Sequence, residues 1–78
     1  MAAMNQTVQT REIEISLCGR RPADVRSFAL RICEANVDHG LTVDPNYSCN
    51  NGGVALGLKF TGPSWVLDRI EKKYGYGY

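Results

Sequence analysis

Trp65, Arg69, Lys72 and Lys73 fall at i, i+4, i+7 and i+8. On a helix that spacing puts one large aromatic ring and a row of cations on one side. Trp65 lies roughly 200° around such a helix from Leu67, so it does not share the seam of Val66, Leu67, Ile70 and Tyr74. An exposed Trp above cations is the composition of a protein hot spot, or of a face that stacks bases and contacts phosphates. The plainer reading has Trp65 fold over the end of the preceding strand and close the core. Asp68 and Lys72 make a favourable i, i+4 pair, which would neutralise part of the charge locally. That favours a protein partner over nucleic acid.

Arg20 and Arg21 precede Pro22 at the mouth of a first helix. Cations there oppose the helix dipole, and a bound anion would reverse the sign. Arg26 supplies a third cation. The plainer reading is solvated arginines eased by Asp24. The tail, from Lys72-Lys73-Tyr74 to Gly75-Tyr76-Gly77-Tyr78, alternates conformable glycine with tyrosine, a favoured contact residue. It could dock on a partner or pair with an open sheet edge. Alternatively, Tyr74 completes the core and the last residues fray.

For metal, the ligand types on hand are Cys18, Cys33, Cys49 and His39. The cysteines are 15 and 16 apart, with no Cys-x-x-Cys pair, and match no zinc module. No metal or cofactor is expected. A Cys with His39 is the only nucleophile–base pair available, and His39 reads better as a cation at a helix C-terminus. Gly52-Gly53 lacks the Lys-Ser/Thr of a phosphate loop and precedes a strand. No catalytic residue is assigned.

Two helices and three strands must position these side chains. Ile13, Ile15 and Leu17 alternate with Glu12, Glu14 and Ser16, the pattern of a half-buried strand. Pro22 opens a helix whose apolar stripe is Val25, Phe28, Ala29, Ile32, Cys33 and Val37, with Gly40 as its C-cap. Leu41, Val43 and Tyr47 alternate with Thr42 and Asp44 in a second strand, which Pro45 bends or confines to an edge. Residues 49–53 read as a tight turn, with Asn51-Gly52 at positive φ. In the third strand Val54, Leu56, Leu58 and Phe60 face in, and Ala55, Gly57, Lys59 and Thr61 face out. Gly62-Pro63 starts the second helix, with Thr61 or Gly62 as N-cap, and Gly75 ends it.

The fold class read from this order is α+β, β-α-β-β-α, with two helices on one face of a three-stranded antiparallel sheet. With the third strand between the other two, the arrangement is similar to a ferredoxin-like fold lacking its last strand. Residues 1–9 read as a flexible arm, 10–75 as one domain and 76–78 as a tail. The outward sheet face, with Ser16, Thr42, Ala55, Gly57 and Thr61, reads as a flat small-residue surface suited to homodimerisation.

Size and charge bound the function. Seventy-eight residues allow one domain with a modest core, and a deep cleft is hard to build at that length. Nine Lys plus Arg against eight Asp plus Glu remove the simplest electrostatic case for nucleic acid or an anionic membrane. No apolar run approaches the ~20 residues of a membrane span. The opening residues lack a basic and an apolar secretory region, so a cytoplasmic protein with reduced thiols is expected. The expectation is a non-catalytic protein-interaction module: a small regulator, inhibitor or adaptor, of a size that mobile elements often encode. It would dock on a larger protein partner through Trp65, Arg69, Lys72, Lys73, Tyr76 and Tyr78. The alternative is a nucleic-acid-binding protein that holds phosphates with Arg20, Arg21, Arg26, Lys72 and Lys73.

Overall fold

The computed structural model describes residues 7–76. Four strands and two α-helices run in the order β1 (Val8–Ser16), α1 (Pro22–Ala35), β2 (Thr42–Val43), β3 (Cys49–Asn51), β4 (Ala55–Pro63) and α2 (Ser64–Tyr74), with a 3-10 turn at Val37–His39. The sheet is antiparallel. β4 lies at its centre, with β1 on one side and both β2 and β3 on the other.

The sheet has four strands rather than three because the second strand breaks at Pro45. Val43 pairs with Phe60 and Cys49 with Gly57, so residues 44–48 face only 58–59 on β4. Pro45 cannot donate to the ladder, and the extra residues bulge out. Pairing resumes at Cys49, so Cys49, Asn50 and Asn51 form a strand where a turn was expected. The reversal falls one residue later. Gly52 (φ 64°) and Gly53 (φ 79°) take the left-handed positions that a side chain resists, and Asn51 does not. Val54 therefore sits in the turn, 50% exposed, and not in the core.

The period-two pattern of β1 and β4 places Ile13 opposite Leu58 and Ile15 opposite Leu56. These side chains share one core with Val25, Ala29 and Ile32 of α1 and with Val66, Leu67 and Ile70 of α2. Both helices thus cover the same face of the sheet. β1 starts earlier than expected: Val8 and Gln9, assigned to the arm, pair with Pro63 and Gly62. Residues 1–6 of that arm lie outside the described residues, as do Gly77 and Tyr78 of the tail.

Three further expectations give way. α1 ends at Ala35, so Val37 leaves the stripe and is 68% exposed, and Gly40 closes the 3-10 turn instead of the helix. Asn36 takes the buried place beneath, where its amide nitrogen donates to the Ile32 carbonyl at 2.8 Å. β4 runs through Pro63, so neither Thr61 nor Gly62 caps α2, which begins at Ser64.

The outer sheet face is not flat. Ala55 and Gly57 are buried. Tyr47, beside one edge, donates its hydroxyl to Glu12 on the other edge strand at 3.1 Å, and Asn51 donates to Glu14 at 3.0 Å. A side chain on Gly57 would run into the Glu12 carboxylate, so glycine leaves room for this crossing. The Lys59 ammonium lies 4.4 Å from the Tyr47 ring centroid. The Glu12 carboxylate, through the hydrogen bond it accepts, raises the Tyr47 phenol above its ordinary range. Among the described residues no helix is long and apolar enough to cross a membrane.

Candidate binding surface on the second helix

Trp65 sits in the first turn of α2, and 42% of it remains exposed. It is nevertheless held from two sides. The His39 ring meets it edge-on, with centroids 4.8 Å apart and planes at 72°. The Arg69 guanidinium, one helical turn on, lies 5.2 Å from its ring centroid. Arg69 is fixed in turn: its Nη2 donates to Oδ1 of Asn36 at 2.7 Å. The chain from Ile32 through Asn36 and Arg69 to Trp65 ties the end of α1 to α2. It leaves Trp65 part exposed while two neighbours hold it.

The other expected contact residues spread out from there. Lys72 and Lys73 are exposed on the last turn, about 10 to 12 Å along the axis from Trp65 at 1.5 Å per residue. The Lys73 ammonium lies 5.4 Å from the Tyr74 ring centroid. Asp68 does not neutralise Lys72. Its carboxylate accepts from Arg11 of β1 at 2.7 Å, and Glu71 shares the same guanidinium at 3.2 Å. The hydrogen bond to Asp68, ahead of the charge attraction, raises the Arg11 pKa above its ordinary value. Tyr76 turns back onto the sheet, where its backbone N–H donates to the Glu14 carbonyl at 2.6 Å and its side chain stays exposed. Tyr78 lies outside the described residues.

The three arginines considered for anions go to three places. Arg20 folds back on β1, with Nε donating to the Leu17 carbonyl at 3.2 Å and Nη2 to the Ser16 carbonyl at 2.9 Å. Its guanidinium lies 5.6 Å from the Phe28 ring centroid. Arg21 approaches Asp24 at 3.7 Å on the surface. Arg26 lines a groove between α1 and the β2 segment. These cations do not converge on the start of α1.

Cys18 and Cys49 are exposed thiols, and Cys33 is half-buried. Burial pushes the Cys33 thiol up to about 11. Among the described residues no three of His, Cys, Asp and Glu gather as metal ligands.

No family model, curated protein or solved structure matches this chain. The case for function therefore rests on the residues themselves. Sequence reasoning missed Asn36 and Arg11, and it read His39 only as a possible ligand or base or a helix-end cation, not as a contact of Trp65. Asn36 continues the spacing of Val25, Ala29 and Ile32, so position marked it while polarity hid it. Arg11 shares the odd parity of Ile13 and Ile15, which points it to the helix side of the sheet. Nothing local to His39 signals Trp65, 26 residues on; the 3-10 turn brings them together.

Proposed function

We propose that this protein is a non-catalytic interaction module, a small cytoplasmic regulator, inhibitor or adaptor. It docks on a larger protein through the outer face of α2. Trp65 is the anchor, Lys72 and Lys73 are the charged rim, and Tyr76 and Tyr78 add adaptable contacts. Arg69 works mainly as the mount of Trp65.

The observation that carries this reading is the fixed but half-exposed indole. Binding hot spots are enriched in Trp and Arg, and a side chain already immobilised loses less entropy when a partner covers it. A Trp needed only to close the core would be buried, as Leu67 and Val66 beside it are. Taking β2 and β3 as one strand interrupted at Pro45, we read the order as a ferredoxin-like arrangement lacking its last strand. Such folds host many functions, so the site and not the fold supports the proposal. Nucleic acid is the weaker reading, because Arg20 spends its donors on its own backbone and the other arginines point elsewhere.

The test is a photo-crosslinking residue at position 72, used in extracts of the source cell. The expected result is a crosslink to one protein that persists at about 0.5 M salt, where exposed charge pairs are screened. Trp65→Ala, checked for folding by circular dichroism, abolishes it. A crosslink to nucleic acid alone, or one indifferent to Trp65→Ala, overturns the proposal.

A further inference from the structure

A cavity of about 410 Å³ opens between α1 and the edge of the sheet at β2. Ala23, Ala29 and Leu30 form its helix wall, Val43 and Pro45 the opposite wall, and Leu58 its floor. The volume is in the range of small ligand sites, and the lining is apolar. Leu30 is 54% exposed here, off the buried stripe of α1. Two exposed charged residues, Arg26 on the helix and Asp44 on the strand side, complete the lining. Among the described residues neither is in an ion pair.

The backbone beside the groove is also open. The Asp44 N–H donates to the Lys59 carbonyl at 2.9 Å, toward the centre of the sheet. Alternation along an antiparallel strand then turns the N–H and C=O of Val43 away from β4, toward the free edge. A helix beside a strand edge with unpaired backbone groups is the arrangement that takes an extended peptide as an added strand. Main-chain bonds give the affinity, and a pocket for alternate side chains gives the choice of sequence.

We infer that this groove binds an extended peptide segment of a partner protein, pairing with Val43, seating one aliphatic side chain over Leu58 and setting a carboxylate against Arg26. An acid is favoured over a base because Asp44 already has a partner: its Oδ1 accepts the Asn46 N–H at 2.9 Å. No side-chain hydrogen bond to Arg26 forms within the chain among the described residues. The groove shares no residue with the Trp65 surface, so the two readings fail separately.

The probes are two acetylated, amidated pentapeptides, Val-Ser-Leu-Ser-Glu and its reverse. Each places Leu and the acid on one face of a strand, in the two chain directions. Titration is followed by NMR on the intact protein. One of the two is expected to shift the Val43 amide and the Leu30 and Leu58 methyls with saturation below about 10 mM. Replacing its Glu by Lys, or Arg26 by Gln in the protein, weakens it about threefold or more. Ala23→Leu, an exposed change that narrows the mouth, weakens it without lowering thermal stability. Absence of saturable shifts, saturation only at Trp65, or equal binding of the Glu and Lys peptides overturns the inference.

Discussion

Arg69 donates to the side-chain oxygen of Asn36 at 2.7 Å, joining the second helix to the end of the first. Asn36 is 8% exposed and its amide nitrogen is already committed to the Ile32 carbonyl. Both ends of one buried amide are therefore satisfied, and one of its partners is charged. Such a group costs more to break than to leave out.

Asn36→Ala takes from the Ile32 carbonyl its buried amide donor and releases the exposed Arg69 guanidinium. It is expected to lower stability by about 1–3 kcal/mol in urea unfolding. It also frees the mount of Trp65, so iodide quenching of the single tryptophan rises. His39→Ala should raise quenching too, with little loss of stability, because a T-shaped contact at a half-exposed ring contributes only about 0.5–1.5 kcal/mol. Unchanged quenching in both variants shows that Trp65 is not held by this chain of contacts.

The Arg11 pairs guard an open edge. Leu17 donates to the Val54 carbonyl and Tyr76 to the Glu14 carbonyl, so odd residues of β1 bond inward and even ones face the free side. Among the described residues, Val8, Thr10 and Glu12 thus offer unpaired backbone groups. A charged residue on the helix-facing side of an edge strand disfavours a second strand there. Arg11→Val is expected to change stability by no more than about 1 kcal/mol, since its partner Asp68 is mostly exposed. It should instead produce concentration-dependent self-association in light scattering. A strictly monomeric variant removes the guarding role.

The long elements were legible because each repeats one period over many residues. The alternation of Ile13, Ile15 and Leu17, the matching run from Leu56 to Phe60, and the stripe of Val25, Ala29 and Ile32 all land where they were placed. The short pieces were not. Cys49, Asn50 and Asn51 have turn composition, and they are a strand only because β4 offers them backbone partners. Val37 fits the helical spacing, but the chain leaves the helix one turn earlier and buries Asn36. Asp68 fits a local pair with Lys72, yet Arg11 of β1 meets it first. At the site, Trp65 and its cations share a helix face as the spacing requires. The His39 ring on Trp65 and the Asn36 amide that fixes Arg69 are contacts of high sequence separation, which no local pattern encodes.

Gly75 ends α2 and lets the tail meet the sheet. It bridges Ile15 in the antiparallel sense, and its N–H donates to the Glu71 carbonyl at 2.8 Å. A Cβ at this position would run into that same backbone carbonyl, which cannot move without opening the last turn. Gly75→Ala is therefore expected to cost about 1 kcal/mol, despite the helix propensity that alanine adds. The Tyr76 amide, now bonded to Glu14, should lose its hydrogen-exchange protection while the amides of Val66 and Leu67 keep theirs. Retained protection at Tyr76 shows that the tail reaches β1 by another path.

Cys33 is set apart from Cys18 and Cys49 by its burial. Its pKa of about 11, against an ordinary 9.0, comes from burial against the core. At pH 8 its thiolate fraction is about a hundredfold below the one its ordinary value would give, and Cys18 and Cys49 are exposed, so iodoacetamide should modify those two first, as mass spectrometry of a time course will read. The sign for stability follows from the protons bound. Between pH 9 and about 11 the unfolded chain releases the Cys33 proton and the folded chain retains it. The unfolded state is favoured across that window, so stability falls as pH rises through it and is unaffected by this group below pH 9. Cys33→Ala should flatten that part of the alkaline unfolding curve at the expense of some packing. Equal alkylation of all three thiols at pH 8, or an alkaline slope indifferent to Cys33→Ala, contradicts the burial of this side chain.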